Sequence, residues 1–522
     1  MFIALEPNRT IWRQIYERLR DGIVTGEFLP GTRLPSTRAL ATDLGVSRRT
    51  ALVAYEQLLA EGYVVGQVGS GTTVAPGLTA SRGRASSRAV GRRRHRTVWL
   101  ASFGRRLASS VPSLGIPREP PLRYDFRYAV PPVDDFPWGQ WRHLTARCLR
   151  RASIAFLNYG PPEGYEPLRL AIAQYLRRSR GFSCDPAHII IVGGSQQALD
   201  LIARVLIDPD DAVAIEDPQY PGARQVFTAA GARLVPIEVD SRGIDPAELR
   251  ARGDGVRLAY VTPSHQFPTG AVLPLERRLA LLSWAEDVGA FVVEDDYDSE
   301  YRFKGHPIAA IKSLDRDGRV LYVGTFSKVL FPALRLGYLV APPELAPALT
   351  AAKLLTDRHA PTLEQAVLAE FIAEGYFDHL LRRLRKRVAA RRTALLAALD
   401  DHLGDRVMVS GTNAGIHVLL GLRDVPSGRL PAVVERAEAA GVGVYPSTLC
   451  YMTPPRRAGL ILAYAAMTEE DIRSGIRRLA GCLPPAAAYS KRTPRRTPGT
   501  TRSRRVPRTA PPPRPGRRGA RR

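Results

Sequence analysis

The sequence predicts an α/β body with a mostly parallel central sheet, preceded by a small helix-turn-helix module that carries a hairpin wing. Three observations lead there. Short, continuously apolar runs at 189–192, 212–215, 258–261, 291–293 and 320–323 alternate with helical stretches, the pattern of strands buried on both faces. Residues 1–77 read instead as three short helices and a hairpin. At 522 residues, 45% hydrophobic and 24% charged, the chain is long enough for several ordinary globular cores.

In the N-terminal module, Ile11, Ile15, Leu19 and Ile23 recur every four residues and predict one amphipathic helix that ends at Gly26. After the turn at Pro30-Gly31, Ser36 is placed to cap a short helix over 37–44, which Gly45 stops. Ser47 caps a third helix to about residue 61, with Ala51, Tyr55, Leu58 and Leu59 facing inward and Arg48, Arg49 and Thr50 in its first turn. Two helices joined by a tight glycine turn, the second opening with basic and polar side chains, form a helix-turn-helix, whose second helix reads the major groove. Residues 63–66 and 72–74 are expected to pair as a wing around Gly69-Ser70-Gly71, where small residues let backbone amides approach phosphates.

The net charge of +25 also suggests nucleic acid, but its distribution is uneven. Residues 78–118 hold 10 Lys and Arg and no acids, residues 491–522 hold 13 and none, and the remaining stretches, 1–77 and 119–490, come to +1 each. A flexible basic linker (78–122) and a disordered basic tail (483–522) are therefore expected to flank the body at 123–482. Both arms suit sequence-independent phosphate contacts or serve only as solvated connectors. No apolar run approaches the ~20 residues of a membrane helix. The first ten residues lack the features of a secretory signal, so a cytoplasmic protein without membrane contact is expected. Cys148, Cys184, Cys450 and Cys482 have neither disulfide-framework nor metal-ligand spacing, so no metal is expected.

In the body the polar residues that follow the strands carry the chemistry, because ligands of such sheets collect at the strands' carboxyl ends. Only six of the 75 basic residues are lysine, and Lys328 lies in Gly324-Thr325-Phe326-Ser327-Lys328 directly after a strand, with Arg335 seven residues on. A lysine that can form an imine with an aldehyde, hydroxyls for a phosphate and an arginine fork for its charge together fit pyridoxal 5'-phosphate. Gly193-Gly194-Ser195-Gln196 opens a helix whose free amides favour that phosphate. Glu294-Asp295-Asp296 puts a carboxylate where it pairs with a pyridine nitrogen, Tyr297 follows for the phenolate, and Tyr220 offers a ring for stacking.

The run PGTRLPSTRALATDLGVSRRTALVAYEQLLAEGYVVGQVGSGTTVA resembles the winged helix of GntR-type regulators. The resemblance implies double-stranded operator DNA as partner, with Arg33, Ser36, Arg38, Ser47, Arg48, Arg49 and Thr50 facing it and Gly69 and Gly71 in the wing; Arg38 and Arg49 are the foremost candidates. YGPPEGYEPLRLAIAQYL, GGSQQALDLIARVL, EDPQYPG, TPSHQFPTG, VEDDYDSEYRF and TFSKVLFPALRLGYL occur in the order and spacing of fold-type I aminotransferases. By this resemblance Lys328 is the Schiff-base lysine, Asp295 pairs with the ring nitrogen, Tyr297 with the phenolate, and Tyr220 stacks. Ser195, Gln196, Thr325, Ser327 and Arg335 hold the phosphate, and Tyr159 reaches a phosphate across a homodimer.

Two positions depart from the pattern. Phe267 stands where those enzymes carry the asparagine of an NPTG motif, with Gln266 or His265 as possible replacements, and Ile461 stands where an arginine clamps the substrate carboxylate, with Arg456 and Arg457 nearby. Winged helix, linker and aminotransferase-like body in that order resemble the MocR subfamily of GntR regulators. That resemblance implies a DNA-binding regulator that senses an amine or amino acid through exchange of the Lys328 imine. A working aminotransferase with an accessory DNA-binding module, or a cofactor-free dimerisation scaffold, are the alternatives.

Overall fold

The computed structural model describes residues 5–6, 8–67, 71–77, 99–110, 122–128, 130–154, 156–303 and 308–485; Gly69, most of the basic linker and the basic tail from residue 486 on lie outside them. The chain divides into two units, Met1–Trp99 and Leu100–Arg522.

In the first unit, helix α1 (Ile11–Thr25) ends at Gly26, α2 (Thr37–Leu44) ends at Gly45, and both glycines take the left-handed conformation that a side chain disfavours. Ser36 accepts from the Ala39 amide and Ser47 from the Thr50 amide, each at 3.1 Å, so both serines cap helices as their position predicts. Helix α3 (Arg48–Ala60) buries Ala51, Ala54, Tyr55 and Leu58 against Ile15, Leu19 and Leu40. Leu59, expected on that inner face, is 41% exposed, because it falls on the flank of the helix beside Gly66. Ile11 is likewise at the exposed end of its apolar row. Strands β1 (Val64–Gln67) and β2 (Gly71–Val74) pair antiparallel with Val64 opposite Val74, which closes the wing over the core.

The second unit begins earlier than the charge pattern suggests. Ser102–Ser110, inside the segment expected to be flexible, forms helix α4. It is fixed by Arg106, whose guanidinium donates to the carbonyls of Ala229 (2.9 Å) and Ala230 (3.2 Å) at the end of the Pro221–Ala230 helix. Those carbonyls have no partner within their own helix, and a cation at a helix C-terminus also meets the negative end of its dipole.

The central sheet has eight strands in the order Ile189–Val192, Gly337–Val340, Val320–Thr325, Phe291–Asp296, Val256–Val261, Ala212–Asp217, Arg233–Asp240 and Gly243–Ile244. All run parallel except Gly337–Val340 and Gly243–Ile244. The five apolar runs seen in the sequence are all strands. The strands at 233–240 and 337–340 were not legible there, the first because Pro236 interrupts its pattern and the second because it follows Lys328 by only nine residues. A second, antiparallel sheet orders Val407–Ser410, His417–Pro426, Arg457–Ala463 and Tyr445–Pro446. No helix among the described residues is long and apolar enough to cross a membrane, and the four cysteines are free thiols.

Candidate functional site

Five strands of the central sheet end at one cavity of about 200 Å³, and each contributes a side chain at or just beyond its carboxyl end: Ser195, Tyr220, Thr262, Asp295 and Lys328, with Tyr297 beside them. This is the carboxyl edge at which such sheets bind ligands. The second sheet closes the opposite wall with Ile416 and His417.

Lys328 is half-buried, and its desolvation lowers the ammonium below the usual lysine value, opposed by the carboxylates of Asp295 and Asp298. A larger fraction of neutral, nucleophilic amine results. Across the cavity the Tyr260 hydroxyl donates to Asp295 Oδ2 at 2.8 Å, while Oδ1, fully buried, has no partner among the described residues. Burial pushes the Asp295 carboxyl up to about 7. A cationic ring nitrogen against Oδ1 would supply the missing donor and restore the ionised form, so the residues present fit a pyridinium.

The Tyr297 hydroxyl donates to the His265 carbonyl (2.9 Å) and lies 3.1 Å from His265 Nδ1, which is 3.0 Å from Asp298 Oδ2. His265 is thus committed behind Tyr297. Gln266 is committed too, donating to the carbonyls of Pro218 and Phe267 at 2.7 Å each and holding the loop closed. Neither replaces the asparagine that Phe267 displaces; the Phe267 ring itself lines the cavity, edge-on to Tyr220 with centroids 5.9 Å apart.

At the other end of the cavity, Gly194 (φ 104°) opens the Ser195–Leu206 helix, and Arg335, itself left-handed (φ 51°), donates to the Gly193 carbonyl. Any side chain would be strained at that φ of Gly194, and its Cβ would also stand 3.0 Å from Arg335 Nη2. Thr325 Oγ1 accepts from the Ser327 amide at 3.2 Å, and Gln196 donates to the Gly222 carbonyl at 3.2 Å. Ser195 and Thr325 face the cavity directly, whereas Gln196, Ser327 and Arg335 flank it. Tyr159 does not join them: it is 74% exposed, with the Arg358 guanidinium 4.8 Å over its ring.

Sequence patterns missed Arg127, Tyr128, Tyr260, Thr262, Ile416 and His417, which also line the cavity. Arg127, Tyr128, Ile416 and His417 come from segments remote from the central strands. Ile461, at the expected position of a carboxylate clamp, is 1% exposed and packs with Phe267 and Cys450. Arg457 instead donates to the Arg423 carbonyl, and neither it nor Arg456 lines the cavity.

In the N-terminal unit, Arg33, Arg38, Arg48 and Arg49 are exposed and make no ion pair with a described residue, which leaves their charge available. Arg33 lies against the wing, close enough that a Cβ on Gly71 would be 3.0 Å from its Nε. Ser36 and Ser47 spend a lone pair on helix caps, and Thr50 is half-buried with its hydroxyl 2.8 Å from that of Ser47.

Known proteins agree with both units. Residues 12–74 match the family Bacterial regulatory proteins, gntR family, and residues 135–479 match Aminotransferase class I and II. The probable rhizopine catabolism regulatory protein MocR of Rhizobium meliloti is 40% identical over 473 residues, covering 90% of this chain and 92% of its own. The chain belongs to the MocR subfamily of GntR transcriptional regulators. Another relative, the HTH-type transcriptional regulator TauR of Rhodobacter capsulatus, is 35% identical over 92% of this chain and 98% of its own. The body of this MocR-type regulator is also similar to LysN, the α-aminoadipate aminotransferase of Thermus thermophilus, with a TM-score of 0.64 and 32% identity over 73% of this chain and 94% of that one. It is therefore a transcriptional regulator built from a GntR winged helix and an aminotransferase-like domain of fold type I, whose family is pyridoxal-phosphate-dependent.

Proposed function

We propose that this regulator is a cytoplasmic homodimer that holds pyridoxal 5'-phosphate on Lys328 and senses an amine or amino acid. The observation that carries the reading is the pairing, in one cavity, of a desolvated lysine amine with a buried carboxylate oxygen that lacks a donor among the described residues. When bound, the cofactor supplies an aldehyde carbon that amines attack and a ring that withdraws electrons. Asp295 would keep the ring nitrogen protonated, the Tyr297 hydroxyl would turn its one proton from the His265 carbonyl to the phenolate oxygen, and Tyr220 would pack on the ring. Ser195, Gln196, Thr325, Ser327 and Arg335 hold the phosphate, and Tyr159 contributes to the partner's phosphate. The similar LysN structure holds N-(5'-phosphopyridoxyl)-L-leucine, a cofactor joined to an amino acid, which supports a ligand of this kind.

The effector's amine replaces that of Lys328, the domain changes conformation, and the winged helices change their hold on operator DNA through Arg38, Arg49 and their neighbours. Such regulation requires that the effector bind the two conformations unequally. Phe267 and Ile461, apolar where an efficient transaminase places an amide and a guanidinium, favour sensing over turnover. The test is spectroscopic. Cofactor-loaded protein is expected to show a visible absorbance absent from Lys328→Ala and to change it on adding an amine. A protein that takes up no cofactor contradicts the reading, and multiple turnovers with amino and keto acids would establish an enzyme instead.

A further inference from the structure

Among the described residues lining the cavity, only Lys328 and Arg127 are cationic and only Asp295 is anionic. His417 adds no charge, because burial and the neighbouring His265 push its imidazole down to about 3. With Lys328 joined to the cofactor and Asp295 facing its ring, Arg127 is the one charge left for whatever else enters.

Arg127 is also built in. It follows Tyr124–Asp125, a short strand that pairs in parallel with Val442–Gly443, and its side chain is only 17% exposed. Its Nη2 donates to Asp125 Oδ2 at 2.8 Å and its Nε to the Tyr445 hydroxyl at 3.2 Å, while that hydroxyl donates to Asp125 Oδ1 at 2.7 Å. The closed triangle fixes the plane of the guanidinium, and Nη1 has no hydrogen bond to a described residue. A fixed fork with a free edge is what a carboxylate recognises, because two parallel N–H donors match its two oxygens.

We propose that Arg127 is the docking point for the carboxylate of an amino-acid effector whose amine reaches Lys328. The sensor then discriminates amino acids from simple amines, by an arginine contributed from the start of the domain rather than from the position Ile461 occupies. This rests on the cofactor-sensing reading above.

The test compares L-leucine with 3-methylbutylamine, and L-alanine with ethylamine, each pair differing only by the carboxylate, by titrating the visible absorbance of cofactor-loaded full-length protein. The wild type is expected to respond to the amino acids at lower concentration than to the amines. Arg127→Gln is expected to raise the half-saturating amino-acid concentration roughly tenfold or more, the scale of one lost charged hydrogen bond, with cofactor absorbance and amine response unchanged. Tyr445→Phe, which removes one anchor and no charge, is expected to weaken the amino acids to a smaller degree, and it decides the matter if Arg127→Gln does not fold. Equal responses to acid and amine in the wild type, or an undiminished preference in the variants, overturn the proposal. If no probe changes the wild-type absorbance although cofactor is bound, the sensing reading fails and takes the Arg127 proposal with it.

Discussion

Asp295 is the residue on which the proposed cofactor would make its clearest demand. Its carboxyl is displaced from 3.8 to about 7 by burial, with one oxygen satisfied by Tyr260 and the other by no described residue. In cofactor-free protein the folded state therefore keeps a proton that the unfolded chain has released, and Asp295 costs stability progressively as pH rises from about 4 to about 7. Above that range the cost is constant, of the order of 4 kcal/mol as an upper figure. Cofactor-free Asp295→Asn is accordingly expected to melt near the wild-type temperature at pH 4 and well above it at pH 8. A melting difference that does not grow with pH would show that the carboxyl is not held protonated. Cofactor binding reverses the preference, so the same substitution is expected to weaken cofactor uptake.

At the scale of elements, the N-terminal helices were legible because capping and termination are local: Ser36, Ser47, Gly26 and Gly45 act on backbone groups within four residues. Ser47→Ala is expected to cost the winged helix about 1 kcal/mol, measured by denaturant unfolding of the module's own signal. Arg38→Ala and Arg49→Ala are expected to leave that stability unchanged and to weaken specific operator binding, by about 1–3 kcal/mol each where the arginine reads a base. Unchanged operator affinity in both would remove the helix-turn-helix from the interface. Less legible were elements whose reason lies elsewhere in the chain. Helix α4 is short and sits in a stretch whose basic residues dominate its composition, and it is anchored by Arg106 on carbonyls more than a hundred residues away. The strand at 233–240 carries Pro236 in its interior.

Across the whole molecule, the central strands announced themselves by composition, and the residues that follow them converge as their order implies: Ser195, Tyr220, Asp295, Tyr297, Thr325 and Lys328 share one cavity. What the sequence concealed is the wall supplied by other layers. Arg127 and Tyr128 come from the start of the domain and Ile416 and His417 from the second sheet, so no local pattern marks them. Charge was legible at this scale as well: 13 of the basic residues lie in 491–522, with no acid among them. Removing that segment is expected to flatten the salt dependence of nonspecific DNA binding while leaving cofactor absorbance intact, since each phosphate that is no longer neutralised lowers the slope by about one. An unchanged slope would show that the segment does not engage DNA.

The proposed coupling of cavity to DNA is tested most directly by measuring the affinity of cofactor-loaded protein for the promoter DNA flanking its own gene, across a panel of amino acids and amines. The expected result is that at least one compound that changes the cofactor absorbance also changes DNA affinity, and that Lys328→Ala binds the same DNA but no longer responds. A DNA affinity indifferent to every compound that alters the absorbance, or a response that survives in Lys328→Ala, would contradict the account.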